Sequence, residues 1–546
     1  MKSAVVIGAG ISGMSCAIDL ARAGVRVMLI SPFSSERSQS VMAAGGINAV
    51  LPGAENENGD SVASHMEDTI KGGSYLGGKK AVKGLCENAG EIIRYLEGIG
   101  TVFSLDGEGK PDKRAFGGQS YKRTFYCGAS TGKQIVTAMI MEVRRYEATG
   151  LIDHRLWMYF HSALIEDSVC HGVLLFNEIT GKLEAVLSDA VVMATGGQNR
   201  LFGKTTGSTQ CDGYAVSKLF TQGAELKNLE FIQYHPTSIE TTQKKMLISE
   251  AVRGEGGRLF YEENGKRVYF MEDKYGPRGN LMTRDVVSRE MDAAKRDIFL
   301  DISFLGKEEI ERRIPEVRDL CLKYRGLDIS RESIPVSPAV HFFMGGLAVH
   351  LNHETCIRNL FAVGECASMY HGANRLGGNS LLAAVYSGKV AAKEIAERKS
   401  ENKTMDYSTV LERESRKLDE LRNNKSSFPV AYMRDMIANT MNEKLGIVRN
   451  KESLEKGIED MDYYLSAAEK ISYDKSVLMY ENYSITGLII LAKAIIISAN
   501  ERKESRGSHF RSDYPETDEN SAYATIISYD EGRYKLRQDR EHFYED

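Results

Sequence analysis

Six residues, Gly8-Ala9-Gly10-Ile11-Ser12-Gly13, follow the apolar run Ala4-Val5-Val6-Ile7 and have the spacing of a phosphate-binding turn. The first glycine allows a tight turn, the second lets a pyrophosphate reach the backbone, and the third lets a helix pack on the strand. The stretch from Met14 to Leu20 reads as that helix, whose N-terminal amides and dipole suit phosphate. Charged residues elsewhere could also do chemistry. Arg375 sits in a run of glycine and asparagine, His371-Gly372-Ala373-Asn374-Arg375-Leu376-Gly377-Gly378-Asn379-Ser380, and a charge in tight backbone usually has an anionic partner. Glu250 and Arg253, three residues apart, share a face and can pair if their segment is helical. Taken one at a time these residues are unremarkable. His235 and His341 read as hydrogen-bonded core histidines, Arg284-Asp285 as a surface pair or helix start, and Glu250 with Arg253 as an exposed ion pair worth under about 1 kcal/mol.

The elements that must position them begin with a βαβ unit, since Val25-Arg26-Val27-Met28-Leu29-Ile30 supplies a second strand. Ser31 follows it where an NAD site would place an acid for the ribose hydroxyls. Two further strand-and-turn segments, Ala190 to Gly197 and Asn359 to Glu365, argue for one FAD domain built from separated pieces. Helical patterns dominate 61–100, short strands 155–195, and a charged, nearly proline-free helical stretch covers about 400–510. The last 36 residues show no clear pattern.

At 546 residues the chain exceeds one core, so about two to four domains are expected. A net charge of −5 gives no basic excess for nucleic acid. The apolar run Leu488 to Ala499 reads as a buried helix, too short to span a bilayer, and no secretory signal fits ahead of the first strand. The eight cysteines show no cluster spacing, which speaks against iron–sulfur or zinc sites in this chain and suits a reducing cytoplasm.

Taken in order, several stretches resemble the flavoprotein subunit of fumarate reductase and succinate dehydrogenase, and its relative L-aspartate oxidase. They are Arg37 to Gly46, Phe116-Gly117-Gly118, Ala194 to Gly197, Phe231 to Thr237, Ser249 to Gly257, Thr283-Arg284-Asp285, His341 to Gly346, His371 to Ser380 and Ser505-Arg506-Gly507-Ser508-His509. The resemblance implies an α/β fold: a Rossmann-like discontinuous FAD-binding domain (1–234 and 342–399), an α+β capping domain (235–341), a helical domain (400–510) and a C-terminal segment (511–546). It implies that His235, His341 and Arg375 bind a dicarboxylate, with Ser249 at the place of a hydroxyl contact. Arg284 matches the family's proton donor, and Glu250 and Arg253 the relay that reprotonates it. FAD would lie along Gly8, Gly10, Ser12, Gly13, Ser31, Ser38, Ser40, Ala44, Gly45, Gly46, Ala194, Thr195, Gly196, Asp212, Glu365, Asn379, Ser380 and Leu381, with no metal. Arg506 and His509 have no chemical role in this reading and are expected to pack the helices on the FAD domain.

Gln39 departs from the membrane-complex members of the family, and Phe116 from L-aspartate oxidase. Gln39 replaces the histidine that bonds covalently to flavin, so FAD is expected to be noncovalent, which favours fumarate reduction over succinate oxidation. That change also brings L-aspartate oxidase closer. Phe116, however, stands where those enzymes carry a glutamate for the substrate ammonium, and it can neither pair with an ammonium nor accept a hydrogen bond. The expectation is the catalytic flavoprotein of a fumarate reductase, working on fumarate/succinate. Its electrons would come from an iron–sulfur subunit or a soluble donor. A cytoplasmic location follows, with any membrane association made through partner subunits. The alternatives are L-aspartate oxidase, the succinate dehydrogenase direction, or a flavoprotein that only shuttles electrons.

Overall fold

Val5, Val6 and Ile7 are apolar in succession rather than in alternation, so their strand needs cover on both faces. In the computed structural model, Ser3–Ile7 is the central strand of a five-stranded parallel sheet. The order is Leu360–Ala362, Ala190–Met193, Ser3–Ile7, Arg26–Ile30, Ile152–Arg155. The structure describes residues 1–51, 59–242, 244–400, 405–424, 429–471, 473–540 and 544. The three turn-bearing segments found in the sequence therefore lie side by side. Helix Ile11–Arg22 covers the sheet and packs on helix Asn379–Glu397, so closely that a Cβ at Gly388 would lie 2.6 Å from Ser12 O. That contact joins residues far apart in the chain into one layer.

A second, separate apolar core runs from Ile239 to Val336. It is built on a six-stranded sheet in the order Lys245–Leu247, Ile232–Glu240, Ile334–Phe343, Ile298–Asp301, Arg258–Glu263, Lys266–Val268. Its two long central strands, Ile232–Glu240 and Ile334–Phe343, pair antiparallel and run between this body and the first core. They carry Gln233, His235 and His341, which places those side chains where the two bodies meet.

The helical stretch contains Ser408–Asn423, Val430–Lys444, Lys451–Ala468 and Met479–Glu501. Residues 401–404, 425–428, 472, 541–543 and 545–546 of the expected helical and terminal segments lie outside the described residues. The apolar run Leu488 to Ala499 needs a correction. It is part of a 23-residue helix, Met479–Glu501, that is long and apolar enough to cross a membrane by length and composition. Most of that helix is buried inside the protein, against Lys451–Ala468 and Tyr214–Thr221. The terminal segment also has a pattern that the sequence did not reveal. Ala524–Asp530 and Arg533–Asp539 form a hairpin whose first strand pairs with Leu226–Lys227, so the chain end returns to the first body.

Candidate active site

The Gly8 turn is built as the spacing predicts. Gly8 has φ +110°, and a Cβ there would lie 2.2 Å from Ala194 O; at Gly13 it would lie 1.8 Å from Gly8 O. Only glycine fits either position. A continuous cavity of about 630 Å3 opens over this turn and runs to His235, Ser249, Glu250, Arg284, His341 and Arg375. That volume is in the range of cofactor and ligand sites. Ser38 Oγ, on its wall, is a buried hydroxyl with no hydrogen-bond partner. The glycine cradle, the helix N-terminus and the free hydroxyl fit the pyrophosphate and ribityl parts of FAD.

The residues assigned to the cofactor divide as follows. Gly8, Gly10, Ser12, Ser31, Ser38, Ser40, Ala44, Gly45, Gly46, Ala194, Thr195, Gly196, Asp212, Glu365, Ser380 and Leu381 line the cavity. Gly13 and Asn379 do not. Gly13 serves the helix–strand contact, and Asn379 belongs to a buried network behind the wall. Its Nδ2 donates to Thr69 Oγ1 at 2.9 Å, and its Oδ1 accepts from Asn48 Nδ2 at 2.8 Å. Gln39 also lines the cavity, its Oε1 accepting from Ser208 N–H. The ring of Phe116 is on the wall too, packed against Gly45 and Gly377.

At the far end two guanidiniums, Arg284 and Arg253, flank one ionised carboxylate, and a third, Arg375, stands across Gln233 from it. Glu250 Oε2 accepts from Arg284 Nε at 2.9 Å and Nη2 at 2.8 Å, and Oε1 accepts from Gly117 N–H at 2.9 Å. Arg253, in the short helix Ala251–Gly254, stands 3.6 Å from Glu250 Oε1 and donates from Nη1 to Asn280 O at 2.6 Å. Arg253 lies behind Glu250 rather than on the cavity wall. The pairing inferred from the three-residue spacing is therefore present, but the pair is buried, not exposed. Burial alone would raise the Glu250 carboxyl; the charges of Arg284 and Arg253 outweigh it and hold it down to about 2.

Gln233 ties this group to the opposite wall. Its Oε1 accepts from Arg284 Nη1 at 3.0 Å and from Arg375 Nη2 at 2.9 Å. Its Nε2 donates to Asn374 Oδ1 at 2.7 Å and to Arg375 O at 2.8 Å. Arg375 lies over the Phe342 ring at 4.4 Å, and its Nε is buried without a partner. Burial and the nearby Arg284 charge disfavour the charged form of Arg375, a cost that an anion in the cavity would offset. His235 and His341 stand with ring centroids 5.2 Å apart. Burial, and after it the charge of Arg284, keeps both far below the usual histidine range, so both are neutral. His235 Nδ1 lies 3.1 Å from Thr237 O and 3.2 Å from Thr237 N, so the Thr237 backbone fixes the ring's orientation. Thr206 Oγ1 bonds His341 Nδ1 at 2.8 Å. Ser249 lines the cavity, its Oγ accepting from Ala251 N–H at 3.3 Å.

Sequence reasoning passes over three residues here. Gln233 stands out only as part of a motif, although its two-residue spacing from His235 in a strand puts both on one face. Thr206 and Tyr480 have no local signal. Tyr480 comes from helix Met479–Glu501, lines the cavity, and donates to Asp212 Oδ2 at 2.6 Å. Among the described residues, no group of three or more His, Cys, Asp or Glu side chains could hold a metal ion.

Comparison with known proteins agrees with this geometry. A family profile described as "FAD binding domain" matches residues 3–381, and "Fumarate reductase flavoprotein C-term" matches 434–544. The succinate dehydrogenase flavoprotein subunit of Bacillus subtilis is 35% identical, covering 96% of this chain and 94% of that one. One subunit of the CoM/CoB fumarate reductase of Methanothermobacter marburgensis is 32% identical, covering 94% of each. The FrdA chain of E. coli quinol fumarate reductase, a point variant, superposes with a TM-score of 0.89 at 28% identity, covering 99% and 97% of the two chains. An FAD-dependent oxidoreductase by fold and by site, this chain belongs to the succinate dehydrogenase/fumarate reductase flavoprotein subunit family.

Proposed function

We propose that the chain is the catalytic subunit of an enzyme that reduces fumarate to succinate, with FAD held noncovalently and residues 235–341 acting as a cap over the site. The observation that carries this reading is the excess of buried positive charge. Arg284 and Arg375 line a cavity end with Arg253 behind Glu250, whose carboxylate is strongly ionised, while burial raises Glu365 to about 7. Such a site favours a small dianion.

Bound FAD would supply the two electrons, as hydride to one alkene carbon. The protein must do the rest. Arg375, with His235 and His341 as neutral donors, would hold the carboxylates and stabilise the negative charge that develops on one of them. Arg284 would give a proton to the other carbon. An arginine acid is unusual, but carbanion character beside a carboxylate is basic enough to take the proton in concert with hydride arrival. Glu250, which accepts two hydrogen bonds from Arg284, and Arg253 behind it would return the proton. The cap would exclude water.

Gln39 cannot form the family's covalent flavin bond, and the lower flavin potential expected without that bond favours reduction of fumarate. Comparable rates in both directions with matched dyes would overturn that direction. Electrons would arrive from an iron–sulfur subunit or a soluble donor, and any membrane attachment would come through such a partner. Arg284→Ala should abolish dye-coupled fumarate reduction and leave FAD bound; unchanged turnover would remove Arg284 from the mechanism. The second reading, L-aspartate oxidase, has Gln39 in its favour and Phe116 against it; iminoaspartate and peroxide formed from aspartate would establish it.

A further inference from the structure

The motif Ser505-Arg506-Gly507-Ser508-His509 contributes no wall to the cavity, yet it grips the loop that presents Arg375. Ala373 O, two residues before Arg375, accepts from Ser508 N–H at 3.0 Å and from Ser508 Oγ at 2.8 Å. Both lone pairs of that carbonyl are thereby occupied. The same residue is fixed from the other side, because Ala373 N–H donates to Gly73 O at 2.9 Å. Arg506 Nη1 in turn donates to Ser74 O at 3.0 Å, so the motif also holds the 73–74 segment to which the loop is bonded. Gly507 has φ +54°, and a Cβ there would lie 2.6 Å from Ala373 O. The close approach of the two backbones depends on the missing side chain.

A buried ion chain continues from the motif to the other half of the site. Arg506 Nε donates to Glu504 Oε1 at 2.8 Å, Arg502 Nη1 to the same oxygen at 2.8 Å, and Arg502 Nε to Glu230 Oε1 at 2.7 Å. Glu230 lies two residues before strand Ile232–Glu240, which carries Gln233 and His235. Arg502, Glu504 and Glu230 are all fully buried. We infer that the Arg506-Gly507-Ser508 turn is a positioning element, which sets the Arg375 loop in register with the Gln233/His235 strand and so fixes the spacing of the groups that hold the substrate carboxylates. This rests on the reading of Arg375 as a dicarboxylate ligand.

The test uses the FAD-loaded full chain and four variants. Gly507→Ala forces a Cβ against Ala373 O, and Ser508→Ala removes one of that carbonyl's two donors. Ser508→Thr keeps the hydroxyl. Gly532→Ala sits at φ +86° with nothing within 4 Å of its Cβ, so it reproduces the backbone strain without touching the loop. The readouts are kcat and KM for fumarate, the Kd of malonate from flavin absorbance, FAD content and Tm. Gly507→Ala should raise both KM and malonate Kd about tenfold or more with a smaller change in kcat, the signature of lost uniform binding. Ser508→Ala should raise them several-fold, Ser508→Thr should restore them, and Gly532→Ala should lower Tm alone. If Gly507→Ala does not retain FAD, the serine pair decides the question. Wild-type Kd and KM in Ser508→Ala, or effects in Gly532→Ala equal to those in Gly507→Ala, would overturn the inference. A wild-type protein that binds no malonate would instead remove the dicarboxylate reading itself.

Discussion

Replacing Glu250 by glutamine keeps the side-chain volume and removes the carboxylate that holds Arg284. Its two oxygens accept three short hydrogen bonds, two from Arg284 and one from Gly117 N–H. A glutamine keeps one acceptor oxygen and must turn its NH2 toward either Arg284 or Gly117, donor against donor. Breaking a buried ion pair by removing one partner costs about 3–5 kcal/mol. The carboxyl's depression from 4.5 to about 2 is equivalent to about 3 kcal/mol, on the same scale. The variant should therefore melt well below the wild type. Below that temperature it should reduce fumarate roughly 10²–10⁴-fold more slowly, since the route returning a proton to Arg284 is cut. Binding of a dicarboxylate should hold or tighten, because a negative charge has left the cavity. Dye-coupled turnover, flavin absorbance with malonate, and Tm measured on one FAD-replete preparation separate these effects. A wild-type kcat in a variant that keeps its FAD would refute the proton route, whatever happens to Tm.

The same carboxyl makes stability depend on acid. Its folded value is depressed, so its contribution is complete above about pH 4.5 and is lost as pH falls toward 2; wild-type Tm should fall through that window more steeply than that of Glu250→Gln. Parallel curves would show that Glu250 is not the linked group. Phe116→Glu adds a carboxylate to the wall of the cavity proposed to hold the dicarboxylate, and fumarate KM should rise about tenfold or more; an unchanged KM would place the substrate elsewhere. Gly8→Ala puts a Cβ 2.2 Å from Ala194 O, so purified protein should carry little FAD, and full flavin occupancy would contradict the cradle. Acid precipitation of the holoenzyme should leave its FAD in the supernatant, because Gln39 offers no covalent attachment; flavin retained in the pellet would contradict noncovalent binding.

Much of the fold could be read locally. The turn at Gly8 to Gly13 requires glycine for reasons confined to a few neighbouring residues, and the unbroken apolar strand before it requires a buried parallel sheet. The same holds for the helical periods of 408–501. Site chemistry was harder to read from residue type alone. Spacing could pair Glu250 with Arg253, but it could not tell an exposed pair from a buried one, because burial is decided by what the rest of the chain brings near. His235 and His341 look like ordinary core histidines until two antiparallel strands set their rings 5.2 Å apart.

What the amino-acid order determined, then, was the dinucleotide turn, the sheet that supports it and the inventory of charges. Only the tertiary structure decided that Gln233 bridges Arg284 and Arg375, 51 and 142 residues away, or that Tyr480 reaches Asp212 across 268 residues. It also decided that the patternless chain end forms a hairpin against Leu226–Lys227, and that the Ser508 turn closes on Ala373. The physical reason is common to all four. A hydrogen bond or a strand pairing between distant segments leaves no periodicity in either segment, and it exists only when both partners have been carried to the same place.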